Sequence, residues 1–270
     1  MTFLGATRCA LSYAALAGAG YCLLQVPAAW DQEDRALSVR AEARHAQLRD
    51  CLVVVDAGHG GQDGGTQGFG ILEKNCALEI AKHVETKILQ LGLRTLMTRR
   101  DDSFVELEER SAIANRREAT VFVSIHLNAD ANSSETAGLE IYYSSRKRLG
   151  DLGRMRASLG LPAGQTITDK RSEALAQKLQ HEVCKATGAA NRNARDCNYL
   201  VVVNTECPAV LVECGYLTNE AEAKRLQDPA YQARLASSIA RGVAHFVLRT
   251  KLNPRRDISL SPMPRAEQAP

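Results

Sequence analysis

Aromatic side chains are scarce in this 270-residue chain, at 5% with a single tryptophan. That argues against a stacking platform for single-stranded nucleic acid. Charge of one sign is lacking as well. Thirty-four Lys and Arg stand against 31 Asp and Glu, for a formal net charge of +3. Such an even balance is no electrostatic footprint for DNA, so nucleic acid is not an expected partner. Eight cysteines contain no CxxC pair, which disfavours a structural zinc knuckle or a thioredoxin-type redox site. No internal repeat occurs. What remains is average: 45% hydrophobic and 24% charged residues, the composition of a globular protein whose length sustains its own core as one domain.

The N-terminus reads as a targeting segment. After Arg8, the run CALSYAALAGAGYCLL carries no charge, and Val26-Pro27-Ala28 offers small residues at a cleavage position. Residues 1–29 are therefore expected to be a secretory signal peptide, with an uncleaved anchor as the alternative, and the chain to be periplasmic or secreted. Residues 30–50 are charge-dense and read as a linker or surface helix. The tail, 252–270, is proline-rich and expected to be disordered. Cys9 and Cys22 belong to the leader. Of the other six cysteines, Cys51 and Cys214 read as small core residues, and Cys184 with Cys197, which flank one Asn/Arg/Gly-rich loop containing NRNARD, is the pair to test for a disulfide.

Residues 51–251 alternate between strands and helices. CLVVVD, VFVSI, LEIYYSS, NYLVVV and AVLVEC are apolar runs of strand type, and LRTLMTR is a further strand. EKNCALEIAKHVETKILQ spaces its apolar residues for a helix that Gly92 stops. VELEERSAIANRREA reads as a helix, DKRSEALAQKLQHEVCKATG as a helix capped by Asp169, and Pro229 opens the last long one. Alternation with doubly apolar strands predicts an α/β sheet covered by helices on both faces, in a single domain. Ligands in such sheets bind beyond the carboxyl ends of the strands.

Four residues at such positions carry chemistry. His59 follows the first strand inside a glycine-rich loop, DAGHGGQDGG, which lacks the lysine of a phosphate-binding loop. Glu73 opens the first long helix, where an acidic residue by itself is ordinary. His126 emerges from VFVSI, and alone a histidine there is more often structural. Glu213 ends AVLVEC, where a carboxylate is costly unless paired or bound to metal. Together they change the reading. Two histidines and one glutamate form a donor set used by catalytic zinc, with a fourth position left for water. Zinc lowers the pKa of such a water to about 7. Glu213 is then the surplus carboxylate that can carry a proton.

The strings DAGHGGQDGG, EKNCALEIA, TRRDDSFVELEERSAIAN, VSIHLNA, GLEIYY, PAVLVECGYLTN and DPAYQARLASSIARGVAHF occur in this order. They resemble the zinc-dependent N-acetylmuramoyl-L-alanine amidases of the amidase_3 family over about residues 51–250. The resemblance implies a mostly parallel six-stranded sheet with helices on both faces. It implies Zn2+ on His59, Glu73 and His126, and Glu213 as the catalytic glutamate. It also implies peptidoglycan as substrate, cut between N-acetylmuramic acid and L-alanine. An activator protein is a further expected partner, and the chain is expected to be a monomer.

Departures from the family pattern are local. Ala57 stands where many members have proline, and Val203 where members often have arginine. The interval from Ser144 to Thr168 is short, and reads as a solvated basic loop containing Arg146, Lys147 and Arg148. Two other functions compete: a zinc peptidase or deacetylase acting on another substrate, and a non-catalytic peptidoglycan-binding domain. Retention of all four site residues weighs against the second.

Overall fold

The computed structural model describes residues 46, 48–148, 166–168 and 170–252. The leader, the tail, Asp169 and most of the interval after Ser144 lie outside the described residues. The chain divides into units Met1–Ala46 and Gln47–Pro270, and everything below concerns the second. It begins before Cys51, because Leu48 already joins the core.

Ten strands are described. β1 is Leu52–Ala57, β2 Gln67–Gly68, β3 Ile71–Leu72, β4 Arg94–Met97 and β5 Val121–Asn128. β6 is Leu139–Tyr143, β7 Arg146–Arg148, β8 Thr166–Thr168, β9 Asn191–Asp196 and β10 Ala209–Tyr216. Six of them form one sheet in the order β4-β1-β5-β10-β6-β9. Every pairing in it is parallel except that of β10 with β6. This is the expected mostly parallel six-stranded sheet.

The apolar runs conceal a two-residue alternation between two cores. Val53, Val55, Val123, Ile125, Val210 and Val212 join the larger core. It is closed by α1 (Glu73–Gln90), α3 (Lys170–Thr187) and α6 (Pro229–Leu252). α1 meets it with Ala77, Ile80, Ala81, Val84 and Ile88, the spacing of one helical face. Each fully buried Val or Ile contributes roughly 1.5–3 kcal/mol relative to exposure. Val54, Phe122, Ala209 and Leu211 point the other way. Among the described residues two short helices cover them, α2 (Leu107–Arg116) and α4 (Leu200–Val203). The thinner cover leaves that face open near the strand ends, where His126 of β5 and Glu213 of β10 project. α5 (Glu220–Gln227) follows β10, and Asn219 caps it by accepting from the Glu222 main-chain N–H.

Four expectations are corrected. LVVV of NYLVVV is the short helix α4 and not a strand. Val201 and Val202 pack into the smaller core, and the Thr205 hydroxyl donates back to the Val201 carbonyl. NRNARD is the edge strand β9, where loop-like composition is tolerated because one side of the strand has no partner. Lys147 is buried, its ammonium donating to the Val202 carbonyl at 2.9 Å, so it is no solvated charge. Cys184 and Cys197 are thiols and are not bridged to each other.

Candidate active site

His59 stands in a strained turn. Its φ is +58°, and Gly60 and Gly61 continue in positive φ. A left-handed conformation costs a non-glycine residue roughly 1–2 kcal/mol, so neighbouring groups must hold it. Two buried arginines do so. Arg110 donates to Asp56 Oδ1 at 2.8 Å, to the Ala57 carbonyl at 2.6 Å and to the His59 carbonyl at 2.7 Å. Arg99 donates to the carbonyls of Ala57, Gly58 and Lys74. The guanidinium fork suits such convergent acceptors better than an ammonium does. Asp56, fully buried, also accepts from Thr98 and Ser124. Burial would raise its pKa, but Arg110 and the two hydroxyls outweigh that and hold it below the usual carboxylate range.

Around that turn three donors converge. His59 Nε2 lies 3.0 Å and His126 Nδ1 2.9 Å from the same Oε1 of Glu73. One ligand atom from each residue falls within 4.8 Å of the others. Glu73 reaches this point because it is the first residue of α1, and its Oε2 is fixed by the Thr66 N–H at 2.9 Å. His126 reaches it by alternation, following Phe122 and Ser124 on the thinly covered face of β5. On the far side of His59, Nδ1 lies 2.7 Å from Asp63 Oδ2. That contact fixes which ring nitrogen faces Glu73, the arrangement common behind metal-bound histidines.

Two glycines make the packing possible. A Cβ on Gly58 would sit 2.6 Å from His126 Nε2, and one on Gly65 would sit 2.5 Å from Glu73 Oε2. No side chain fits at either position without moving a donor. Charge balance follows the geometry. Burial works against the Glu73 carboxylate, yet hydrogen bonds from His126 and His59 dominate and lower its pKa strongly. Burial likewise opposes a charged His59, but Glu73 and Asp63 raise it.

Glu213 stands apart from the triad. It pairs in register with His126 on β5 and with Glu140 on β6, just before β10 breaks register. Its Oε2 is buried with no hydrogen-bond partner among the described residues. Burial, with Glu73 and Glu140 nearby, pushes its pKa well above the ordinary carboxylate value. It lines a cavity of about 350 Å³ together with His59, Glu73, His126, Leu107 and Tyr199. A buried carboxylate oxygen without a partner is expensive, and a carboxyl group lining a cavity beside three metal-type donors is suited to exchange a proton with a bound molecule.

All four residues expected from the sequence thus come together. Asp56, Asp63, Arg99 and Arg110 did not stand out there, although Asp63 follows His59 by four residues and both arginines fall within TRRDDSFVELEERSAIAN. A lone arginine in a helical pattern gives no sign of being buried. Val203 is also buried, at the end of α4, where it contributes packing and no charge.

Comparison with known proteins gives the relationship. The family model described as N-acetylmuramoyl-L-alanine amidase, Amidase_3, matches residues 53–245. The N-acetylmuramoyl-L-alanine amidase LytC of Bacillus subtilis is 31% identical over 72% of this chain, which spans 35% of LytC. Among solved structures, the amidase AmiC2 of Nostoc punctiforme is 35% identical with a TM-score of 0.63, covering 74% of this chain and 98% of that one. The CwlD amidase of Clostridioides difficile, solved in complex with the GerS lipoprotein, is 28% identical with a TM-score of 0.61, covering 74% of this chain and 100% of that one.

Proposed function

Since the chain belongs to the Amidase_3 family of N-acetylmuramoyl-L-alanine amidases, we propose that it hydrolyses the amide between the lactyl group of N-acetylmuramic acid and L-alanine in peptidoglycan, with a zinc ion held by His59, Glu73 and His126. The observation that carries this reading is the convergence of those three donors beside the unpartnered Glu213 oxygen in one cavity. Two imidazole nitrogens and a carboxylate oxygen fit zinc, being a set found in catalytic sites that keep one position open. A zinc ion so bound supplies Lewis acidity, which polarises a carbonyl and makes hydroxide available near neutral pH.

The chain's own groups do the rest. Asp63 holds the His59 ring, Arg110 its main-chain carbonyl and Arg99 the carbonyls of Ala57 and Gly58 before it, so the donors need not reorganise on binding. Glu213 takes the proton of the attacking water and passes it to the departing alanine nitrogen. The carbon–nitrogen bond breaks, leaving a lactyl carboxylate and a free L-alanine amine. Leu107 and Tyr199, lining the cavity, exclude bulk water around the scissile amide.

The site of action we propose is outside the cytoplasmic membrane, on the strength of the leader reading of residues 1–29 and the substrate. None of the described helices is long and apolar enough to cross a membrane. CwlD's complex with GerS supports a protein activator as a second partner. Digestion of purified sacculi by the zinc-loaded protein, followed by mass spectrometry of the products, tests the function. Stem peptides with new L-alanine N-termini are expected, lost with a chelator and restored by zinc. Products cut at any other bond would overturn the assignment.

A further inference from the structure

The register of the sheet carries the open face sideways from Glu213 to an arginine. Across β10 and β6, Glu213 pairs with Glu140 and Leu211 with Tyr142; Tyr142 pairs in turn with Arg195 on the edge strand β9. Register partners project from the same face of a sheet. Arg195 therefore shares the face of Glu213, two strand spacings across and two residues along, about 12 Å away. Between them Tyr142 stacks edge-on against Tyr199, with ring centroids 5.1 Å apart, and Tyr199 lines the cavity. One tyrosine wall joins the cavity to the arginine.

Glu140 does not use Arg195 up. This carboxylate is buried, and accepts from the Tyr142 and Tyr216 hydroxyls at 2.6 Å each and from Arg192 Nε at 2.5 Å. Arg195 Nε stays 3.7 Å from Glu140 Oε2, beyond hydrogen-bond length. Its guanidinium donates no hydrogen bond to a described residue, and its side chain is 51% exposed. Two arginines around one carboxylate leave the cluster with a net positive charge. A fork with free donors suits a carboxylate, which it can bind with two parallel bonds.

We propose that Arg195 is a carboxylate subsite, binding the carboxylate carried by the stem-peptide residue that follows L-alanine. Two residues of extended peptide span about 7 Å, and the arginine side chain covers the remaining distance from β9. This assignment rests on the amidase reading above and adds what that reading leaves open, the basis of substrate preference.

The test uses the zinc-loaded full-length protein and two soluble N-acetylmuramoyl dipeptides. They differ only in whether the residue after L-alanine carries a free α-carboxylate or the corresponding carboxamide. The unaltered protein should favour the carboxylate by about 10- to 100-fold in kcat/KM, the effect of a charge-assisted hydrogen bond, with most of the difference in KM. Arg195→Gln should bring the ratio close to one, and Arg195→Glu should invert it. An unaltered protein without preference, or an Arg195→Gln protein that keeps the full ratio, would overturn the subsite while leaving the amidase reading intact. Cleavage of neither compound would overturn both.

Discussion

Arg110 donates to the main-chain carbonyl of His59 at 2.7 Å, a side chain on α2 gripping the turn that presents a metal-type donor. The same guanidinium binds Asp56 and the Ala57 carbonyl, so one residue ties the end of β1 to the strained φ of His59. Lysine cannot reach these acceptors in one plane. Arg110→Lys is expected to weaken zinc binding by about tenfold or more, the scale of losing an outer support. It should also lower stability by about 1–3 kcal/mol, because buried carbonyls lose their donor while the charge beside Asp56 is kept. Zinc titration against a competing chelator and urea unfolding read the two effects separately. Unchanged zinc affinity in a folded variant would show that the turn holds itself.

Glu213 and Glu73 should separate chemistry from metal. Glu213→Gln retains shape but removes the proton acceptor, so zinc content should stay near one per chain while turnover falls about 10²–10⁴-fold. Glu73→Gln should lose zinc, since an amide is a poorer ligand than a carboxylate. Elemental analysis alongside a sacculus digestion assay distinguishes them. Equal zinc loss in both variants would show that the two roles are wrongly divided.

Gly58 is the position where one methyl group should cost the site. An added Cβ would lie 2.6 Å from His126 Nε2, inside any allowed contact, so the imidazole must move. Gly58→Ala is expected to reduce zinc occupancy with little change in the far core. Gly188→Ala is the useful contrast: it carries positive φ but meets nothing within 4 Å, so it should cost stability without affecting metal. A Gly58→Ala protein with full zinc affinity would mean that the turn can yield.

Asp56 sets an acid limit. Its folded pKa is depressed, although burial pushes the other way, because Arg110, Ser124 and Thr98 favour the charged form. A depressed pKa stabilises the fold above the unfolded value of about 3.9, and that contribution disappears as pH falls through the lower folded value. Stability measured by urea unfolding should therefore be steady above about pH 5 from this group and fall steeply below pH 4. Asp56→Asn should be less stable at neutral pH and show a shallower acid limb. An acid limb of equal slope in both proteins would assign the transition to other carboxylates.

The order of the elements, the doubly covered sheet and the four site residues were legible in the chain. Each rests on local information: apolar runs, a histidine or glutamate at the end of a run, and glycines where a loop must turn tightly. The valines of NYLVVV were not legible, because a short apolar run suits a strand or a buried helical turn equally until something packs against it. Nor was β9, since the Asn- and Arg-rich sequence of an edge strand shows little periodicity. Which face of each strand belongs to which core also needed the tertiary structure. In CLVVVD, Asp56 shares the face of Val54, and only the thin cover of α2 and α4 turns that face into a site. The arginine grip on His59 depends on contacts 51 residues apart, and the space for His126 depends on a glycine from another strand end. Local sequence could propose the donors; long-range packing decided that they lie within 4.8 Å of one another and that Glu213 Oε2 has no hydrogen-bond partner among the described residues.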